Sequence, residues 1–104
     1  MKPLKGKKNI ENLFSFGERF SNSSVVCRYL EKEIDGVFFV VSVPKKLFSR
    51  AVDRNKIKRR MREVLRKNKN IFYNKGRGWY MFVYSSQKIL TFSELELEIL
   101  SFFK

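Results

Sequence analysis

The stretch from residue 45 to residue 70 constrains the fold most, because it combines a helical apolar stripe with a dense basic surface. Its apolar residues recur at i, i+4, i+7 and i+8: Ile57, Met61, Val64 and Leu65. That spacing is typical of a helix that buries one face. Twelve basic residues oppose two acidic ones here, a balance of +10. The sequence therefore predicts a helix beginning near Val52 that covers a sheet with one face and exposes cations on the others.

Short apolar runs on both sides of this helix predict strands. Val37–Val41 reads as a central, buried strand, and Pro44 ends it because proline cannot donate to a ladder. Residues 79–84 predict a buried strand after the helix, and residues 24–31 predict a first strand. Each run is far shorter than the roughly 18 apolar residues that a membrane-spanning helix requires. We expect one α+β domain over residues 1–104 and no membrane association.

Helices are also predicted near the two ends of the chain. After a basic arm over residues 1–8, Asn9 is expected to cap a short helix that stops at Gly17. A turn is expected over residues 31–36. Thr91 and Glu94 have the spacing of a capping box, which predicts an amphipathic, acidic terminal helix.

Composition narrows the possible functions. The chain has a formal net charge of +13, yet 43% of its 104 residues are hydrophobic, so the charge belongs to a folded domain rather than a disordered tail. Histidine is absent and Cys27 is the sole cysteine. Imidazole general bases, zinc sites built on histidine or cysteine clusters, and internal disulfides are therefore excluded. Cys27 is expected in the core, without a disulfide partner, which fits the cytoplasm.

The density of like charge on the predicted helix favours an anionic partner. Arg54, Lys58, Arg62 and Arg66 follow one another at four-residue intervals, and each such pair repels by about 0.2–0.5 kcal/mol. Phosphates would relieve that repulsion and release counterions. A membrane surface is disfavoured, because the apolar stripe is needed to cover strands and no lipidation motif is present. The alternative is a solvated cationic face with no partner.

Two adjoining motifs resemble the signature of the bacterial ribonuclease P protein family. A strand ends in Val43-Pro44-Lys45-Lys46, and Ala51 then precedes Arg54-Asn55-Lys56-Ile57-Lys58-Arg59 at the start of the basic helix. The family has Val-x-Lys-Lys, then Ala, then Arg-Asn-x-aliphatic-Lys-Arg. Length, charge and element order are also similar over nearly the whole chain.

This resemblance implies a two-layer α/β sandwich with a roughly four-stranded central sheet and about three helices. The implied order is α-β-β-β-α-β-α, with a left-handed βαβ crossover around the basic helix. The implied function is that of an accessory protein subunit of an endoribonuclease. Such a subunit binds a catalytic RNA and the 5′ leader of precursor tRNA, and the RNA removes the leader with Mg²⁺ held mainly by its own phosphates.

The resemblance also implies two groups of binding residues and no catalytic residue in the protein. RNA-subunit contacts carry over to the motif and its approach, and helical periodicity extends them: Lys45, Lys46, Arg50, Arg54, Asn55, Lys56, Lys58, Arg59, Arg62 and Arg66. Lys56 stands where the family usually has Arg, so a point charge replaces a bidentate fork. The leader would lie in a cleft between the first helix and the sheet, lined by Ile10, Phe14 and Arg28.

Departures from the family pattern concern that cleft. Ile10 replaces a common Phe, and Arg28 stands where some members have Tyr. Phe14 could stack on a base, or it could pack in the core against Leu13.

Two other functions fit the charge. A ribosomal or RNA-chaperone protein would bind RNA without supporting a reaction. A self-sufficient nuclease would need paired carboxylates to hold two metals, and the scattered acidic residues show no such spacing.

Overall fold

Apolar runs and amphipathic segments alternate along the chain and form a mixed α+β fold. The computed structural model describes residues 1–33 and 36–103. The strands are β1 (Lys2–Pro3), β2 (Glu18–Ser21), β3 (Val25–Glu31), β4 (Val37–Ser42) and β5 (Gly78–Tyr84). The helices are α1 (Lys7–Phe16), α2 (Ala51–Lys67), α3 (Lys69–Lys75) and α4 (Phe92–Leu100), and a 3-10 turn follows over Ser101–Phe103.

The strands form one sheet in the order β1-β4-β5-β3-β2. β5 pairs in parallel with β4 and antiparallel with β3. Gly78, the first residue of β5, allows β5 to approach β3 closely. Its φ is +147°, and a Cβ at this position would collide with the Leu30 carbonyl oxygen of β3. The link from β4 to β5 runs through α2 and α3, which makes a βαβ crossover. The left-handed sense of that crossover stays a prediction.

The predicted fold class is confirmed, with differences in detail. The predicted order α-β-β-β-α-β-α is found once two short elements, β1 and α3, are added to it. The described part of the chain therefore has five strands and four helices instead of about four and three. Val37–Val41 lies in β4, which is an interior strand as predicted, with β1 on one side and β5 on the other, but β4 is not the middle strand. β5 occupies the centre, because the crossover inserts it between β3 and β4.

One side of the sheet, which we call the α2 face, carries the larger buried core and is covered there by α2, α3 and α4. The apolar stripe of α2 lies against it as predicted, with Ile57, Met61, Val64 and Leu65 all buried. From the sheet, alternate residues of β3 and β5 complete this core, including Cys27 and Phe82. Cys27 lies in this core, as expected, and burial raises the pKa of its thiol to about 12.

The opposite side, which we call the α1 face, is only partly covered. Its buried cluster consists of Leu4, Leu13 and Met81. Around this cluster lie half-buried apolar side chains: Ile10, Leu30, Phe38, Val40, Trp79 and Val83. The short helix α1 covers only part of this face and leaves these side chains half-buried.

Helix ends agree with the sequence at α4 but not at α1. Thr91 and Glu94 form the predicted capping box. Asn9 was predicted to cap α1, and this is wrong: α1 begins at Lys7 after Gly6. Asn9 lies in the first turn, and its side-chain amide donates to the Lys5 carbonyl at 3.0 Å.

The remaining predictions on this part of the fold concern the N-terminal segment and a turn. The predicted basic arm over residues 1–8 supplies β1, which pairs with β4, and the start of α1. The predicted turn over residues 31–36 includes positions 34 and 35, which lie outside the described residues. In the described ranges, every helix is too short or too polar to cross a bilayer.

Candidate nucleic-acid interface

The loop between β4 and α2 presents two adjacent lysines. The Pro44 carbonyl accepts hydrogen bonds from the backbone N–H groups of Leu47 and Phe48 at 3.1 and 3.4 Å. The chain therefore turns immediately after β4, and Lys45 and Lys46 are both exposed on this turn.

The side chain of Arg54, in the first turn of α2, forms hydrogen bonds to the same loop. Its Nη1 donates to the carbonyl oxygens of Phe48 and Ser49, both at 2.8 Å. These bonds use one of the three guanidinium nitrogens, which leaves donors on the other two for a partner. The first residue of the Arg-Asn motif thus positions the loop that carries Lys45 and Lys46.

The outer surface of α2 carries most of the other predicted RNA contacts. Its buried stripe faces the sheet, so the remaining positions point outward. Lys58, like Arg54, is half-buried. The fully exposed members of the predicted set on and next to this helix are Arg50, Asn55, Lys56, Arg59, Arg62 and Arg66.

The flank of α2 that faces α4 is used for structure. Arg60 donates to the Leu90 carbonyl at 2.7 Å. Lys67 lies 3.2 Å from Glu96, which also accepts a hydrogen bond from Asn68 at 3.0 Å. Hydrogen bonds from Asn68 and Lys67 lower the pKa of the Glu96 carboxyl. These cations are therefore engaged within the fold.

Ion pairs neutralise little of the predicted RNA-binding set. Arg50 lies 4.0 Å from Asp53, and Arg66 lies 2.8 Å from Glu63. In both pairs the arginine is exposed, and surface pairs of this kind contribute only about 0–1 kcal/mol. Within residues 1–33 and 36–103, no carboxylate comes within 4.0 Å of the other predicted cations. The charge of this surface is left for an external anion.

The predicted leader residues meet on the α1 face. The Arg28 guanidinium carbon lies 4.2 Å from the centre of the Phe14 ring. Phe14 is 57% exposed, so the alternative of ordinary core packing is wrong for this side chain. Ile10 is half-buried at the edge of the Leu13 cluster. The structure thus brings all three predicted residues to one side of the sheet.

Sequence reasoning missed a second cation–aromatic pair on this face. Lys32 Nζ lies 4.4 Å from the centre of the Trp79 ring. Trp79 is next to Leu30 and Phe38 across the sheet. No local signal in the sequence indicates this pair, because the pairing of β3 with β5 creates it.

The described residues include no cluster of acidic or cysteine side chains suited to a metal ion. Across both described ranges, no three cysteine or acidic side chains lie close enough to hold a metal ion. The donor set on the basic surface consists of ammonium, guanidinium and amide groups. The ammonium and guanidinium groups bind phosphate and do not bind a divalent cation, because they have no lone pair to offer.

Comparisons with known proteins concern the family and the fold of the chain as a whole. The family model described as Ribonuclease P matches residues 1–104. The chain is 44% identical over 62 residues to the ribonuclease P protein component of Streptococcus agalactiae, covering 60% of this chain and 56% of that protein. It is 32% identical over 100 residues to that of Phytoplasma australiense, covering 95% and 85%. The chain spans about half the length of several curated relatives that it matches.

A solved structure shares the fold. The RNase P protein from Thermotoga maritima superposes with a TM-score of 0.84, covering 99% of this chain and 96% of that one. Sequence identity is 20%, so this likeness concerns the fold alone.

Proposed function

This chain belongs to the Ribonuclease P protein family, and on that premise we propose that it is the protein subunit of a cytoplasmic ribonucleoprotein that matures tRNA. In this role it binds the catalytic RNA subunit and the 5′ leader of precursor tRNA. It thereby supports endonucleolytic removal of the leader.

The observation that carries the proposal is the basic surface along α2 and its preceding loop, which the described carboxylates neutralise only in part. Its cations converge from two elements, and Arg54 fixes the loop against the helix. Phosphates bound here would release counterions and relieve the repulsion among neighbouring cations. A structured RNA presents phosphates along a continuous backbone, which suits a surface that extends along a whole helix.

The α1 face suits a different part of the substrate. Single-stranded RNA stacks its bases on aromatic rings and on arginine planes. Phe14 and Arg28 provide both surfaces at one point. Because α1 and α2 lie on opposite faces of the sheet, the protein can hold the leader on one side and the RNA subunit on the other.

We assign the chemistry to the RNA partner. The chain has no histidine, and the described residues assemble no metal-ligating cluster. Mg²⁺ held mainly by RNA phosphates would supply the activated water. The protein's own part is to bind and orient the two RNAs.

Reconstitution tests the proposal. The full chain is mixed with the cognate RNA subunit, and cleavage of precursor tRNA is followed at low magnesium. We expect cleavage at the mature 5′ end that is faster than with RNA alone, and no cleavage by protein alone. Absence of stimulation contradicts the proposal, and EDTA-sensitive cleavage by RNA-free protein would favour a self-sufficient nuclease.

The RNA that copurifies with the protein separates this role from ribosomal or RNA-chaperone binding. A single structured RNA other than ribosomal RNA supports the proposal. Ribosomal RNA alone in the purified complex would point to the other class.

The two flanks of α2 supply a matched pair of variants for the RNA-subunit contact. Arg59 is exposed, whereas Lys67 is engaged by Glu96. Arg59→Ala should weaken binding of the RNA subunit and reduce the salt slope of log K by about one. Lys67→Ala should leave the slope unchanged. If the salt slope of Arg59→Ala is also the same as that of the parent protein, Arg59 is merely solvated.

A further inference from the structure

A groove separates the N-terminal segment from the end of α2. Its floor is apolar and is formed by Met1, Pro3, Phe39 and Leu65. Its volume is about 370 Å³, which lies within the range of sites that hold small organic groups. The groove lies outside the Arg-Asn motif and on the opposite face of the sheet from α1, and it shares Arg62 and Arg66 with the predicted RNA-binding set.

Three cations surround this apolar floor. Arg62 and Arg66 come from α2, and Lys69 is the first residue of α3. The described lining contains no carboxylate. Arg66 contacts Glu63 at 2.8 Å, but both side chains are exposed, and a surface pair of this kind exchanges for a phosphate at little cost.

We propose that this groove holds one unstacked nucleotide of the RNA partner, with its base on the apolar floor and its flanking phosphates on the three cations. The proposal rests on the RNA-binding role proposed above. A nucleotide combines a flat apolar surface with one negative charge per phosphate, and the groove pairs an apolar floor with cations in the same way.

A second groove of similar size shows that charge, not volume, distinguishes this site. It lies between α3 and the C-terminal 3-10 turn and measures about 360 Å³. Phe102 and Phe103 contribute aromatic surface to it, but Lys75 is its single cation among the described lining residues. It therefore offers stacking surface without the charge that flanking phosphates require.

The charged groove lies at the far end of the predicted RNA-binding set, next to Arg62 and Arg66. Arg54 and Arg66 are twelve residues apart in one helix, which corresponds to about 18 Å along its axis. Contacts at both points would hold the RNA along the length of α2, so the motif alone would not define the bound surface.

A nucleotide titration tests the groove directly. The full chain, labelled at Met and Leu methyl groups, is titrated with adenosine 5′-monophosphate and followed by NMR. We expect saturable ring-current shifts at the methyls of Met1 and Leu65, and none at Leu13 on the α1 face. Ribose 5-phosphate and inorganic phosphate should not reproduce these shifts. Equal shifts with ribose 5-phosphate, or no saturable shift at Leu65, would overturn the proposal.

Two lysine variants provide the matched comparison. Lys69→Gln should weaken binding of adenosine 5′-monophosphate by about two- to fivefold, the size expected for loss of one exposed ion pair. Lys75→Gln, in the groove of similar size, should leave it unchanged. Equal weakening by both would show that bulk charge accounts for binding.

The outcomes also separate this proposal from the function on which it rests. If stimulation of cleavage persists while the methyls do not respond, the groove proposal alone fails. If the methyls respond and reconstitution shows no stimulation, the ribonuclease P role fails while the groove stands as a nucleotide site.

Discussion

The two faces of the sheet differ in how completely helices cover them. On the α2 face, α2 and α4 bury side chains such as Phe82 and Cys27 to 2% exposure or less. On the α1 face, α1 leaves Trp79 and Val83 half-buried and Phe14 exposed. The contrast indicates that the first face supplies stability, whereas the second keeps apolar and aromatic surface available for a ligand.

Neighbouring residues of β5 give the largest test of this contrast. Phe82 points to the α2 face and Val83 to the α1 face. Phe82→Ala should lower the free energy of unfolding by about 3–5 kcal/mol, because it leaves a cavity in a closed core. Val83→Ala should cost only about 1 kcal/mol. Urea denaturation measures both, and similar losses would contradict the contrast.

Two phenylalanines of α1 test whether the open face binds the leader. Phe14→Ala should weaken affinity for leader-bearing precursor tRNA by about 1–3 kcal/mol, the contribution of one stacked base. Phe16 is 73% exposed on the same helix, and Phe16→Ala should have little effect. Affinity for tRNA without a leader should not change in either variant. If both variants lose the same affinity for precursor tRNA, the cleft assignment is wrong.

Alkaline pH tests the closure of the α2 face through Cys27. Burial raises the pKa of this thiol from 9.0 to about 12, so above pH 9 the unfolded chain loses this proton while the folded chain keeps it. Stability should therefore fall as pH rises between these two values, by up to about 1.4 kcal/mol per pH unit from this group.

Comparison with Cys27→Ala isolates that contribution from other groups that titrate at alkaline pH. The variant should lose less stability than the parent between pH 9 and pH 10, as measured by urea denaturation at each pH. Parallel pH profiles would mean that solvent reaches the thiol.

The smallest expected effect concerns the edge of the α1 face. Lys32 lies over Trp79, the sole tryptophan. Lys32→Ala should reduce stability by about 0.5–1 kcal/mol, and the fluorescence of Trp79 should shift to the red as its ring gains contact with water. Lys8→Ala, at an exposed position on α1, serves as the control. An unchanged emission maximum would show that Lys32 does not shield the ring.

Local sequence patterns predicted the helices and strands better than they predicted the order of the strands in the sheet. The stripe on α2 and the capping box on α4 each join residues that are three or four positions apart in the sequence. Such patterns can be recognised without tertiary structure. Asn9 shows the limit of such signals, because the chain entered α1 two residues earlier. The central position of β5 was also beyond local signals, since strand order depends on pairing between distant segments.

The candidate sites also combine features that neighbouring residues in the sequence reveal with features that only long-range contacts create. The Lys-Lys and Arg-Asn motifs identified one end of the basic surface from residues close in sequence. The sequence placed Arg59 in the predicted set and left Lys67 out of it, but it did not show that Glu96 of α4 lies beside Lys67. The sequence also did not reveal the groove, because Pro3 and Lys69, which both line it, are far apart in the chain.

The sequence by itself determined the fold class, the basic helix with its buried stripe, and the absence of imidazole chemistry. These follow from composition and from periodicities set by local backbone geometry. Only the tertiary structure decided which cations stay free, which sheet face stays open and where the groove forms. Those properties depend on long-range contacts, above all the crossover that places β5 between β3 and β4, and no local pattern encodes them.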